Sequence, residues 1–196
     1  DDLMRLGLAL FDKVVAVSKP QAAWLKRRGY ANSEQLVAIS SCVTLAAFEA
    51  IANERPEGPV TIGAIGRFHQ QKGFDLLVDA FASAAPPNAR LMLVGDGPDR
   101  DLLLAKAKAH PQICFLPYTS NPADALAMCD VVAMPSRWEP YGLVALEAMA
   151  AKRPVICSTV DGLREHITNG ATPIAENTVA GWREQFTQLG SREAVA

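Results

Sequence analysis

The sequence lacks the charge imbalance that marks proteins that bind polyanions. Its 196 residues contain 19 Lys and Arg against 21 Asp and Glu, which gives a formal net charge of −2. A strongly basic surface attracts a protein to nucleic acid or to an anionic membrane, and this composition does not provide one. We therefore expect no binding to nucleic acid, and any anionic ligand has to be held by a local group of cations.

Long apolar runs are also missing. No stretch approaches the roughly 20 residues that span a bilayer. The opening segment DDLMRLGLALFDKVVAVS has acidic residues where an export signal would be basic. This part of the chain is therefore expected to be neither exported nor membrane-spanning, and membrane contact would need segments outside it.

Cysteine is scarce, and its spacing is not that of metal ligands. The four cysteines are Cys42, Cys114, Cys129 and Cys157. Three of them lie in apolar segments, where a free thiol behaves as a small hydrophobic side chain. We expect a reduced, cytoplasmic protein without a metal centre.

What is present is an alternation of short apolar runs with longer amphipathic ones. This alternation is typical of βα units around a parallel sheet. Buried strands are predicted at residues 60–66, 90–95, 112–117, 130–136 and 153–159. A helix is predicted at 74–84 and a closing helix in TVAGWREQFTQL. The predicted fold class is α/β, a Rossmann-like doubly wound parallel sheet, whose ligands bind beyond the carboxyl ends of the strands.

The first fifty residues differ from this main block. Two strand-like segments, DKVVAVS and EQLVAIS, are followed by the polar segment NERPEGP at 53–59. We interpret that segment as a linker. The predicted domains are residues 1–52 and 53–196.

The first strand-to-helix loop of the main block, GRFHQQKGF, contains two cations. Arg67 and Lys72 precede a helix, whose first N–H groups attract anions, so the pair suits a phosphate or a diphosphate. Taken alone, two cations in a loop are more often simply solvated side chains at the surface. His69, between them, is expected to be an ordinary loop residue. The preceding GAIG lacks the glycine spacing of the dinucleotide fingerprint, which disfavours a nicotinamide cofactor.

The next two loops give weaker signals. GDGPD is typical of a turn, because Gly and Asp favour turn conformations. In PYTSN, Tyr118 and Thr119 stand where backbone groups could meet a nucleotide base. Ser120 or Asn121 is expected to cap the following helix.

The fourth loop, in SRWEPYGLVALEAMAAKRPV (136–155), leads into another helix. Glu139 stands just before Pro140, and the helix is predicted to begin near Tyr141. Gly142 and the N–H groups of the first turn would then face the crevice, where glycine permits close approach of a ligand.

A carboxylate interrupts the apolar face of this helix. Glu147 falls at three- and four-residue steps from Leu143 and Ala150, so it shares a helix face with apolar residues rather than with charged ones. A buried carboxylate needs hydrogen-bond donors, and a ribose diol offers two. Periodicity alone instead favours a Glu at the edge of the stripe, solvated or paired with Lys152 or Arg153.

Three segments together carry a family resemblance. GRFHQQKGFDLLVDAF, LMLVGDGPD and PSRWEPYGLVALEAMAAKRPVI resemble the carboxyl-terminal, nucleotide-sugar-binding half of family-4 retaining glycosyltransferases of the GT-B fold. Glu139 and Glu147, with seven residues between them, match the paired-glutamate motif of that family. Arg67 and Lys72 match its diphosphate-binding pair.

The resemblance implies a role for each matched residue. Glu147 would hold the ribose of the donor, and Glu139 would approach the donor sugar. Gly142 and Leu143 would offer backbone amides to the phosphates or the sugar.

The reaction it implies is transfer of a hexosyl group from a nucleoside diphosphate sugar, with retention of anomeric configuration. Arg67, Lys72 and the helix start at Tyr141 would stabilise the leaving diphosphate electrostatically. No metal ion or other cofactor is expected to be needed.

The match has gaps that bear on activity. The family's acceptor-binding amino-terminal half is represented only by residues 1 to about 48, and Ser41-Cys42-Val43 stands where Asn-Gly-Val is usual. We therefore expect a fragment that binds a nucleoside diphosphate but transfers no sugar alone, and that can self-associate through apolar surface. The alternatives are a nucleotide-sugar-binding module that does not use Glu139, and a sugar-nucleotide epimerase of GT-B architecture.

Overall fold

The computed structural model describes residues 2–53 and 58–189, so most of the predicted linker at 53–59 lies outside the described residues. In chain order the elements are α1 (Asp2–Leu8), β1 (Val14–Ala16), α2 (Lys19–Arg27), β2 (Leu36–Ala38), α3 (Ala46–Glu49), β3 (Val60–Ile65), a 3₁₀ turn (Gln70–Lys72), α4 (Phe74–Ala84), β4 (Ala89–Val94), α5 (Arg100–Ala107), β5 (Ile113–Leu116), α6 (Pro122–Ala127), β6 (Val131–Met134), α7 (Leu143–Ala150), β7 (Val155–Cys157), α8 (Leu163–Thr168), β8 (Thr172–Pro173) and α9 (Val179–Gln188).

The strands form two parallel sheets. β1 pairs with β2, and a six-stranded sheet has the order β5-β4-β3-β6-β7-β8. The winding of this order reverses between β3 and β6, and a doubly wound sheet opens its ligand crevice at such a switch point. The predicted fold class is confirmed. The prediction of five strands was wrong by one, because the two-residue edge strand β8 is too short to show a periodicity.

Helices cover both faces of the large sheet. On one face, Phe81 of α4 packs edge-on against Phe186 of α9, with ring centroids 5.6 Å apart, and Trp182 belongs to the same cluster. On the other face, α7 lies close to the sheet because its inward positions are small: Ala145, Ala148 and Ala151 are fully buried. Within the described residues, no helix is long and apolar enough to cross a membrane.

A glycine turn places the loop after β3 beside the loop after β6. Gly73 has φ 69° and joins the 3₁₀ turn to α4. A Cβ atom at this position would lie 2.2 Å from the carbonyl oxygen of Pro135. Only glycine allows both this φ and this approach, so the two loops at the switch point pack together.

The amino-terminal block has a small core of its own. Val14, Leu25 and Tyr30 are buried in it, and the Ser18 side chain caps α2 by accepting a hydrogen bond from the N–H of Gln21 at 3.1 Å. Helix α3, however, packs against α6 and α7, and its Phe48 belongs to the apolar cluster on that face of the large sheet. The domain division at residue 52 stays a prediction.

Candidate functional site

A cleft lies at the carboxyl ends of β3, β4 and β5, against one side of α7. Its volume is about 430 Å³. The lining residues are Ile65, Gly66, Arg67, Val94, Gly95, Asp96, Tyr118, Thr119, Ser120, Pro122, Val144 and Glu147. Four of the residues singled out in the sequence therefore share one cavity: Arg67, Tyr118, Thr119 and Glu147.

Glu147 is the buried carboxylate of this cleft. Its relative exposure is 9%, and burial raises the pKa of its carboxyl group above the ordinary value. Its carboxylate makes no hydrogen bond or ion pair with any other residue that the structure describes, so the pairing with Lys152 or Arg153 that periodicity allowed is not present. A desolvated carboxylate without partners is costly, and two O–H donors from a ligand would offset that cost.

The two predicted cations of the basic loop, Arg67 and Lys72, differ in their contacts. Arg67 is exposed at the cleft and, among the described residues, its side chain has no hydrogen-bonding or ionic partner. Lys72 instead forms an ion pair with Glu139, with 2.5 Å between Nζ and Oε2. Lys72, assigned to the diphosphate, and Glu139, assigned to the sugar, therefore bind each other.

Glu139 is fixed by its surroundings as well as by Lys72. Its relative exposure is 7%. Its backbone N–H donates to the Asp161 carboxylate at 3.2 Å, and its carbonyl accepts from the N–H of Gly162 at 2.9 Å. The Ser136 hydroxyl lies 3.4 Å from the Glu139 carboxylate. These contacts hold the carboxyl group at the switch point of the sheet.

An ion pair ties the Glu139 loop to the Lys72 loop. Arg137 donates to both carboxylate oxygens of Asp75, at 2.8 and 2.7 Å, and to the carbonyl of Gln70 at 2.8 Å. The hydrogen bonds to Arg137 lower the pKa of Asp75 below its ordinary value. Bidentate pairing of this kind fixes orientation as well as distance, so it helps to align Lys72 with Glu139.

The start of α7 corrects two expectations. The helix begins at Leu143 and not near Tyr141. Leu143 is 38% exposed, so it does not share the buried face of Glu147. Gly142 precedes it with φ 96°, and a Cβ there would lie 2.6 Å from Leu163. The N–H groups of the first turn still lack partners within the helix.

Tyr141 is held by a buried histidine. Its ring centroid is 5.0 Å from that of His166, and its carbonyl oxygen lies 3.0 Å from His166 Nε2. Burial is the largest influence on His166 and lowers its pKa, which favours the neutral ring that donates from Nε2 to Tyr141. The sequence alone did not single out this contact.

The polar side chains of the remaining loops serve local structure. The Thr119 hydroxyl accepts from the N–H of Asn121 at 3.0 Å, and Asp96 accepts from the N–H of Gly97 at 2.8 Å. His69 accepts from the N–H of Gln71 at 3.1 Å. The expectation that Asn121 caps α6 through its side chain was wrong, because Thr119 orders that turn instead. Tyr118 is 73% exposed at the rim.

Sequence reasoning missed Asp161 and the ion pair of Arg137 with Asp75. Asp161 could have been found by the rule that located the other loops, because it follows β7 at the same edge of the sheet. The ion pair joins positions 62 residues apart, and no local pattern indicates it.

Comparison with known proteins identifies the family. A family model described as glycosyl transferases group 1 matches residues 59–191. The chain is 30% identical over 190 residues to a glycogen synthase of Mycobacterium tuberculosis, which covers 92% of this chain and 43% of that protein. It is 34% identical over 176 residues to a D-inositol 3-phosphate glycosyltransferase of Jonesia denitrificans, with 76% and 41% covered. The chain thus spans less than half the length of these relatives.

Solved structures show the same fold. A TarM mutant of S. aureus in complex with UDP matches with a TM-score of 0.80 at 20% identity. The match covers 100% of this chain and 40% of the TarM chain. HepE of Anabaena in complex with UDP and glucose has a TM-score of 0.77 at 22% identity, with 93% and 55% covered. The prediction of a Rossmann-like half of a GT-B fold is confirmed. Because the family model matches more than half of this chain, the chain belongs to the glycosyl transferases group 1 family.

Proposed function

We propose that this chain is the donor-binding part of a retaining, family-4 glycosyltransferase that moves a hexosyl group from a nucleoside diphosphate sugar to an acceptor. The observation that carries the proposal is Glu147, a buried carboxylate without a partner among the described residues, in a cleft of about 430 Å³ at the switch point of the sheet. Complexes of TarM with UDP and of HepE with UDP-glucose support it by analogy of fold.

The donor would lie along the cleft with its nucleoside at one end. Backbone groups near Tyr118 and Thr119 border the end that would take the base. Glu147 would accept hydrogen bonds from the two ribose hydroxyls. This arrangement leaves the diphosphate at the mouth of the cleft, near Arg67.

The diphosphate would be stabilised by charge and by backbone dipoles. Arg67 and Lys72 provide two cations, and the first N–H groups of α7, at Leu143, add the positive end of the helix. Negative charge grows on the diphosphate as the sugar leaves, so fixed donors there lower the barrier. These groups would do so without a metal ion or another cofactor.

Glu139 would then act at the sugar. Once phosphate oxygens compete for Lys72, the Glu139 carboxylate is released to accept hydrogen bonds from sugar hydroxyls. Asp161 holds the Glu139 backbone meanwhile. We assign Glu139 an orienting role and not that of a nucleophile.

A thermal-shift panel of UDP, GDP, ADP and their sugars tests the donor site. A ligand that binds only the folded protein stabilises it by about 2.7 kcal/mol at a hundredfold excess over Kd. For a chain of this size we expect the nucleoside diphosphate with the matching base to raise Tm by roughly 5–10 °C. The corresponding nucleoside, which lacks the diphosphate, serves as the control.

Two outcomes would contradict the proposal. The absence of a shift with every diphosphate would remove the donor site. Formation of a glycoside by this purified chain would overturn the expectation that it binds without transferring, because transfer needs donor and acceptor held together.

A further inference from the structure

A second groove lies between α2 and α8, next to the Glu139 loop. Its volume is about 650 Å³. Its lining includes Lys19, Trp24, Arg27, Asp161, Arg164 and Glu165. It shares no lining residue with the donor cleft.

The groove has more positive than negative charge available to a ligand. Lys19, Arg27 and Arg164 line it, and among the described residues the side chains of Lys19 and Arg27 have no hydrogen-bonding or ionic partner. Of the two acidic residues, Glu165 accepts from the backbone N–H of Lys19 at 2.5 Å, and Asp161 accepts from the backbone N–H of Glu139 at 3.2 Å. Both carboxylates are therefore engaged with backbone, while two cations are left exposed.

Asp161 connects the groove to the reaction centre. It lines the groove and also holds the backbone of Glu139. The Glu139 carboxylate itself is bound to Lys72. A molecule in the groove would thus lie beside the loop that carries Glu139, the residue assigned to the donor sugar.

We propose that this groove binds an anionic group, a phosphate or a carboxylate, of the acceptor substrate. Lys19 and Arg27 pair with the anion, Trp24 provides an apolar wall for the acceptor, and the acceptor hydroxyl lies toward Glu139. The assignment of the ligand as an acceptor rests on the proposed glycosyl transfer, but the anion site itself can be tested without a donor.

The test is to titrate the chain with glucose 6-phosphate, glucuronate and glucose at low ionic strength. Backbone amide NMR shifts measure the binding of each ligand. We expect at least one of the two anions to bind at least tenfold more tightly than glucose, and to shift amides within 19–27 and 161–169. Preference for the phosphate or for the carboxylate identifies which anion the groove takes. A Lys19→Gln/Arg27→Gln variant should lose at least tenfold of that affinity.

The control variant removes the same charge outside the groove. Lys26→Gln/Lys108→Gln should change the affinity for the anion by less than twofold, and circular dichroism verifies that both variants fold. Equal binding of glucose and both anions, or unchanged anion binding by Lys19→Gln/Arg27→Gln, would overturn the proposal. UDP, GDP and ADP are titrated in parallel. A failure of all three to bind would remove the donor site and leave the anion result standing.

Discussion

Replacement of Glu147 by Gln is expected to weaken binding of the nucleoside diphosphate roughly ten- to hundredfold. Hydrogen bonds to a charged group contribute about 1.5–3 kcal/mol, and two ribose hydroxyls are proposed to donate to this carboxylate. The amide keeps the shape of the side chain but loses its charge. Calorimetric titration of both proteins measures the difference.

The same substitution is expected to stabilise the unliganded protein at pH 7. Burial raises the pKa of the Glu147 carboxyl group above its ordinary value, so the folded state favours the protonated form more than the unfolded chain does. The stability that this group contributes is present below the pKa of the unfolded chain and is lost as the pH rises through the folded pKa. Glu147→Gln removes that loss, which we expect to be on the order of 1 kcal/mol, or roughly 2–4 °C in Tm.

A matched variant and a matched ligand separate these effects from general changes. Glu184→Gln alters the same charge on the exposed side of α9 and should change neither the affinity nor the pH profile of stability. The 2′-deoxy form of the nucleotide should bind more weakly than the parent to the wild-type chain, and nearly as well as the parent to Glu147→Gln. Full ribose discrimination in Glu147→Gln would show that another group holds the ribose.

The variants Lys72→Met and Glu139→Gln are expected to change nucleotide affinity in opposite directions. Lys72 Nζ lies 2.5 Å from Glu139 Oε2, so a diphosphate has to compete with a carboxylate for the ammonium group. Removing the cation should weaken binding roughly ten- to hundredfold. Removing the competing charge should strengthen binding several-fold.

Stability distinguishes the two single variants as well. Lys72→Met leaves the buried Glu139 carboxylate without its cation, at a cost of up to roughly 3 kcal/mol. The double variant Lys72→Met/Glu139→Gln should recover most of that loss, as measured by denaturant unfolding. Equal losses of affinity in Lys72→Met and Glu139→Gln would show that the pair acts as a unit on the ligand, and would contradict competition.

Much of the fold follows from local patterns. Helix α4 spans Phe74–Ala84 as predicted, and each predicted strand of the large sheet is present within a few residues. These elements are fixed by runs of apolar residues and by the turns between them. The reversal of winding between β3 and β6 is not in any local pattern, although it decides where the crevice lies.

The candidate site was predictable in its residue types but not in its contacts. Periodicity placed Glu147 on an apolar face with Leu143, yet the residues of α7 that are buried together with Glu147 are Ala145 and Ala148. The ion pair of Lys72 with Glu139 spans 67 positions and depends on strand order. The sequence therefore indicates an anion site with Arg67 and Lys72 and an acidic pair, Glu139 and Glu147. The structure shows that Lys72 of the anion site is bound to Glu139 of the acidic pair.

The central claim is that the cleft at the switch point binds a nucleoside diphosphate. Its most direct test follows the backbone amide NMR shifts of the chain as the nucleotide selected by the thermal-shift panel is added. The largest changes are predicted at Gly66, Thr119 and Leu143, with small changes in α9. Changes confined to the groove between α2 and α8, or to α9, with the amides of the cleft unmoved, would contradict the claim.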